Sequence, residues 1–246
     1  MGLMVTLTLA AALPPGLIDE VDGRWAERTP KNRTAIAREI AAQLEPHKSE
    51  FEAAWRLARS YVWIADESPY YQGTRARFEL GGKAMGVAKE AIRLQPNRVE
   101  GHYYYAWAVG QWSLGISIAK ALWEGAESKY TGALKKVDQL DRSYDQYGAL
   151  RMWGRYFHSL PWPKRDRAKS ARYLKKSVKK SPTNLRSFTY LAETLIGQGK
   201  HGEACALVER ALKIRGDAAK EPDWDLWRRE LARLKASGCK TLLENL

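Results

Sequence analysis

The stretch EGHYYYAWAVGQW, residues 100–112, holds five aromatic residues in thirteen positions, three of them consecutive tyrosines. Consecutive helix residues point about 100° apart, so Tyr103, Tyr104 and Tyr105 cannot all face one core. Helical spacing groups Tyr103, Tyr104, Trp107 and Gln111 on one side, and repeats with Trp55, Arg59 and Trp63 earlier in the chain. Arg151, Arg155 and His158 follow at the same spacing, then Arg186 and Tyr190. Rings give rigid contact area and guanidinium forks match carboxylates, so these residue types bind rather than react. A peptide, a protein partner or a small organic acid suits such a surface.

Reaction chemistry has no comparable footing. There is no G-x-S-x-G, no phosphate-cradling glycine loop, and no pair of carboxylates in a plausible pocket. ELGGKAMG, residues 79–86, lacks the spacing of a P-loop and reads as a glycine-rich helix opening. His47, His102, His158 and His201 are scattered without HxxxH spacing, and neither cysteine has a metal-binding neighbour. Neither a catalytic residue, a metal nor another cofactor is therefore expected, and the chain reads as non-enzymatic.

The elements that carry these residues are helical. In NLRSFTYLAETLIGQGKHGEACALVERALKI, residues 184–214, Phe188, Leu191, Ala192 and Leu195 form a helical stripe. GQGK breaks it, and Ala204, Val208 and Ala211 mark a second, antiparallel helix. Earlier units repeat the scheme around Pro46, Pro96 and Pro182, with Ser170, Leu174 and Ser177 as the inward residues ahead of the last of these. Ala58, Ala106, Gly154 and Ala192 supply the small residue that lets two helices approach. Spacings of 50 and 86 residues between these prolines, against about 34 per regular unit, place insertions near 66–81 and 114–130. Residues 223–237 form an amphipathic helix suited to capping the array.

This spacing resembles the tetratricopeptide repeat. The lengthened early units, GHYYYAWAVG, then LDRSY…GALRMWGRYFHSLPW and SPTNLRSFTYLAETLIGQGKHGEA, resemble the branch holding bacterial TRAP-transporter T components and the regulators of microtubule dynamics. The resemblance runs from about Thr34 to Ile214, and ALRMWGRYFHSLPW is its most specific piece. It implies an all-α, right-handed superhelix of tetratricopeptide-like hairpins with insertions and a C-terminal capping helix, working as a binding or adaptor protein. It further implies a periplasmic partner of a solute-binding protein, although the lipid-anchored N-terminus frequent among T components has no counterpart here. In the repeat's registration, His102, Tyr105, Ala106 and Val109 pack, while Tyr103, Tyr104, Trp107 and Gln111 line a concave groove; the alternative is that the rings are internal packing and that Arg151 and Arg155 neutralise Asp141 or Asp145. That groove would be aromatic at one end and arginine-bearing towards the other.

Three further features bear on location and partners. Residues 1–16 contain an apolar run ending in small residues and read as an exported protein's signal peptide without its basic start; an apolar packing helix is the alternative. Residues 17–33 read as a linker and 34–246 as the repeat domain. The net charge of +13 includes the run 163–180, where Lys169, Arg172, Lys175, Lys176, Lys179 and Lys180 face outward. That face is a solvated surface, or one for an acidic protein or an anionic membrane. Nucleic acid is disfavoured, since no aromatic residues interleave the cations. Such a basic-face scaffold would be cytosolic. Cys205 and Cys239 lie where antiparallel helices would bring them together, so they form either a disulfide or two unrelated thiols.

Overall fold

The computed structural model describes residues 12–66, 75–216 and 223–239; residues 1–11 of the segment read as a signal peptide lie outside them. Among the described residues every regular element is helical. In chain order they are α1 (Leu17–Ala26), α2 (Arg33–Leu44), a 3-10 turn (Glu45–His47), α3 (Phe51–Asp66), α4 (Arg75–Leu94), α5 (Val99–Leu114) and α6 (Ile118–Trp123). There follow α7 (Ala126–Leu140), α8 (Tyr144–Ser159), α9 (Arg167–Lys180), α10 (Leu185–Gly197), α11 (His201–Leu212) and α12 (Trp224–Gly238). The described residues divide into two compact units. One takes those up to Glu27 and Thr34–Ala133; the other takes Arg28–Arg33 and those from Leu134 onwards.

In the first unit α3, α4 and α5 pack on one another. Ala58, Ala84, Ala88, Ala91 and Ala106 are fully buried, and these small side chains let the helices approach. The closest approach uses glycine. A Cβ on Gly81 of α4 would stand 2.5 Å from the backbone nitrogen of Trp112, and one on Gly115 2.5 Å from the nitrogen of Phe78. The glycines read as a helix opening are thus, at Gly81, a helix-packing contact. His102 is buried, with Nε2 hydrogen-bonded to the carbonyl of Pro96 at 2.9 Å, so it serves the hairpin turn.

In the second unit the expected registration holds at every position of the last repeat. Phe188, Leu191, Ala192, Leu195, Ala204, Val208 and Ala211 are all buried, and Gly199 takes the left-handed conformation, φ 76°, at the turn. Asp166 and Asn184 cap α9 and α10 by accepting from the Lys169 and Ser187 amides. Ser170 and Ser177 do more than save volume. Their hydroxyls are 3.0 Å from Thr194 and 2.9 Å from Ser187, tying α9 to α10 inside the core. Gly154 admits Leu174, whose Cγ would lie 2.4 Å from a Cβ there. The C-terminal helix α12 packs on α10 and α11 through buried Trp224, Trp227, Leu231 and Leu234, and a Cys205–Cys239 disulfide fastens it.

Two local features depart from the sequence reading. Residues 17–33 are not a plain linker, because α1 occupies Leu17–Ala26. Leu17, Ile18, Val21 and Trp25 recur at helical spacing, so this short helix is legible in the sequence although the linker reading passes over it. At the start of α8, Asp145, Gln146 and Tyr147 form a left-handed turn with φ of 48°, 54° and 60°. Arg151 donates to the Gln146 carbonyl at 2.8 Å and to Asp145 at 2.5 Å, and Ser181 donates to the same carbonyl at 2.8 Å. These bonds offset the roughly 1–2 kcal/mol per residue that such a turn costs an L-residue.

Candidate functional site

The first unit gathers its aromatic residues into one cluster. Trp55, Arg59 and Trp63 of α3 stand four residues apart, as do Tyr103, Trp107 and Gln111 of α5, so each set forms one stripe. Trp55 stacks on Tyr104 with centroids 6.0 Å apart, and Tyr104 on Trp107 at 6.3 Å. Tyr103 meets Tyr104 edge-on at 5.3 Å, and Trp107 reaches Trp63 at 6.2 Å. Trp63 in turn meets Trp25 of α1 edge-on at 5.4 Å.

Two guanidinium groups lie over these rings. Arg56 is 4.1 Å above Trp55, while Arg59 sits 3.9 Å above Trp25 and 5.1 Å from Trp55. Asp22 of α1 receives both: Arg56 donates at 2.9 and 2.5 Å, Arg59 at 3.2 Å. Glu52 also accepts from Arg56, at 2.5 Å, and from the Trp55 indole at 2.9 Å. Burial works against the Asp22 carboxylate, but hydrogen bonds and charge from Arg56 and Arg59 outweigh it and hold its pKa below the usual range. Desolvation, against the nearby negative charge, holds the Arg59 guanidinium below its ordinary value.

The expected open groove is therefore corrected for this unit. Tyr103 and Tyr104 are 2% and 7% exposed, and Trp55, Arg59 and Gln111 are buried; only Trp63 and Trp107 stay half-exposed. All three consecutive tyrosines pack. The rings stack on one another, and α1 meets Trp63, Arg56 and Arg59. Asp22, Trp25 and Glu52 complete the cluster; Glu52 stands three and four residues before Trp55 and Arg56, whereas Asp22 escapes a sequence reading because it lies 34 residues from Arg56. The DxxW pattern in 22–25 is the only local trace of Asp22 and Trp25.

In the second unit each predicted groove residue has a partner. Arg151 holds the left-handed turn. Arg155 donates to Glu193 at 2.5 Å and lies over the Tyr190 ring. His158 Nδ1 is 3.1 Å from the Thr194 hydroxyl. Burial, then the positive charges of Arg155, Arg167 and Arg165, lower the His158 pKa to about 4. Arg186 sits 4.7 Å above Trp227, which Tyr190 meets edge-on at 5.5 Å.

On α9, Lys169, Arg172, Lys175, Lys176, Lys179 and Lys180 are all exposed, and the loop before it carries Trp162 at 86% exposure. No group of three metal-ligating side chains occurs among the described residues, and none of the described helices is long and apolar enough to cross a membrane.

Paired antiparallel helices, small residues at their crossings and a capping helix define a helical repeat protein of tetratricopeptide type, a class whose members bind other proteins. The chain belongs to the family described as Regulator of microtubule dynamics protein 1-3, whose family model matches residues 17–233. Among solved structures it resembles TTC0263, a thermophilic TPR protein of Thermus thermophilus. The TM-score is 0.63 at 18% identity, covering 89% of this chain and 98% of that one. That likeness shows the fold. MamA (TM-score 0.47, 16% identity, 80% and 88% covered) and yeast Tom70 (0.33, 14%, 97% and 70%) are more distant. No curated protein matches the sequence.

Proposed function

We propose that the chain is a non-catalytic adaptor that captures a protein or peptide partner on the α3–α5 face of its first unit. The observation that carries this is the ring cluster of Trp55, Trp63, Tyr104 and Trp107 with Arg56 and Arg59 above it. Aromatic residues and arginine dominate binding energy where water is excluded. A photo-crosslinking residue placed at the half-exposed Trp63 or Trp107, in the native cells, should join the chain to a protein identifiable by mass. The same residue at Lys176 should not. Crosslinking at Lys176 alone would transfer the function to the basic α9 face and an acidic partner, a second reading favoured by its six exposed cations. Crosslinking at neither position would remove the adaptor reading.

The proposal extends to an exported, periplasmic setting and, from the resemblance to T components, to a solute-binding protein as the partner. The Cys205–Cys239 bond supports an oxidising compartment, where such bonds persist. Intact mass of the protein from its own cells tests this. Loss of the first residues together with a disulfide supports export, and a full-length chain with free thiols refutes it.

A further inference from the structure

The first unit already displays what its α3–α5 face accepts. The helix seated across that face, α1, offers a carboxylate at Asp22 to two arginines and an indole at Trp25 to Arg59 and Trp63. Asp22 and Trp25 stand three residues apart, hence on one side of the helix. Its hold is slight in apolar terms: within α1 only Val21 is fully buried. No side chain caps its N-terminus. Leu17, Ile18 and Trp25 are half-buried, Trp25 against the Trp63 ring, and the remaining attachment is polar and partly wet, including Arg24 to Glu39 at 3.0 Å.

Uncovering the face would leave a demanding surface. Arg56 would retain Glu52, but Arg59 would lose the carboxylate of Asp22, and the Trp63 ring would lose its edge-on neighbour. A replacement must return an anion to the guanidinium and a flat ring beside the indole, or the arginine stays poorly paired. We infer that the partner carries a short amphipathic helix with a carboxylate and a tryptophan three residues apart, the chemistry of Asp22 and Trp25, and binds by taking the place of α1. This rests on the adaptor reading above and names the partner's chemistry at the same face. Six residues separate α1 from α2, so the tethered helix competes at an effective concentration near the millimolar range. An incoming helix must exceed that, and weakening α1 raises its apparent affinity by enlarging the open fraction.

The test uses the full chain and a labelled peptide of residues 16–28, GLIDEVDGRWAER, read by fluorescence anisotropy. The double variant Asp22→Ala/Trp25→Ala should bind the peptide about tenfold or more tightly than the wild type. Adding Arg59→Glu should abolish binding, and a peptide with alanine at both key positions should not bind. Circular dichroism reports whether each variant keeps its fold. Should the double variant unfold, hydrogen exchange on the wild type decides instead: excess peptide should speed exchange of residues 17–26. No binding to a folded double variant, equal binding of the alanine peptide, or unchanged exchange overturns the inference. So does a concentration-dependent dimer of the double variant in place of peptide binding. Crosslinking at Trp107 without peptide binding would leave the adaptor reading intact and reject this chemistry. Peptide binding without crosslinking would mean that the face accepts this chemistry but serves α1 alone, which removes the adaptor reading and the partner inferred from it.

Discussion

Within α4, Gly→Ala should act in opposite directions at two positions five residues apart. At Gly81 the new Cβ would meet the Trp112 nitrogen at 2.5 Å, its Cα at 2.8 Å and its Cβ at 2.9 Å. Carbon contacts are optimal near 3.5–4.0 Å, so the overlap approaches 1 Å. Two of the three opposing atoms are backbone and cannot rotate aside; α4 and α5 must separate. Overpacking of this kind costs about 1–3 kcal/mol or more, and alanine returns about 1 kcal/mol of helix propensity. The net effect of Gly81→Ala is a loss of up to about 2 kcal/mol, and more where the helices cannot part. At exposed Gly86 a Cβ meets nothing within 4 Å, so only the propensity gain remains, about 1 kcal/mol of stabilisation. Urea unfolding followed by helical circular dichroism measures both, and calorimetry should separate the two variants by several degrees, at about 2–4 °C per kcal/mol. Gly81→Ala at or above wild-type stability would refute the close approach. A loss at Gly86 would refute its open surroundings.

Two further outcomes concern the second unit. Cys205 and Cys239 are 34 residues apart, and loop-closure entropy assigns such a crosslink up to about 4 kcal/mol, so reduction or Cys239→Ser should lower the unfolding midpoint markedly. A midpoint indifferent to reductant would mean that the bond does not constrain the unfolded chain. For His158, burial and neighbouring arginines bring the folded pKa to about 4, below the unfolded value of about 6.5. The unfolded state then binds more protons between those values, so stability is complete above pH 6.5 and falls as pH drops towards 4. His158→Gln should remove that part of the slope in a stability–pH series; an unchanged slope would show that His158 is not the group responsible.

The candidate site was only partly legible. The stripes of Trp55, Arg59 and Trp63, and of Tyr103, Trp107 and Gln111, follow from helical spacing alone, and the structure sets them on neighbouring helices. Their burial was not legible, because it depends on stacking between helices some fifty residues apart and on the seat of α1. Arg151 and Arg155 read either as ligands for a partner's carboxylates or as neutralising Asp141 or Asp145. Their carboxylates are internal, at Asp145 and Glu193, the latter 38 residues away.

The sequence by itself determined an all-α chain of helix hairpins, the inward set Phe188, Leu191, Ala192, Leu195, Ala204, Val208 and Ala211, and the turn at Gly199. Helical period, small residues at crossings and a glycine free to take positive φ are local properties, so they are written locally. Tertiary structure alone decided that Gly81 is a helix contact and that Asp145–Tyr147 wind left-handed under Arg151 and Ser181. It alone decided that Asp22 and Trp25 close the aromatic face. Each of these depends on atoms brought together across the chain, where polar pairs and ring contacts leave no period in the sequence to read.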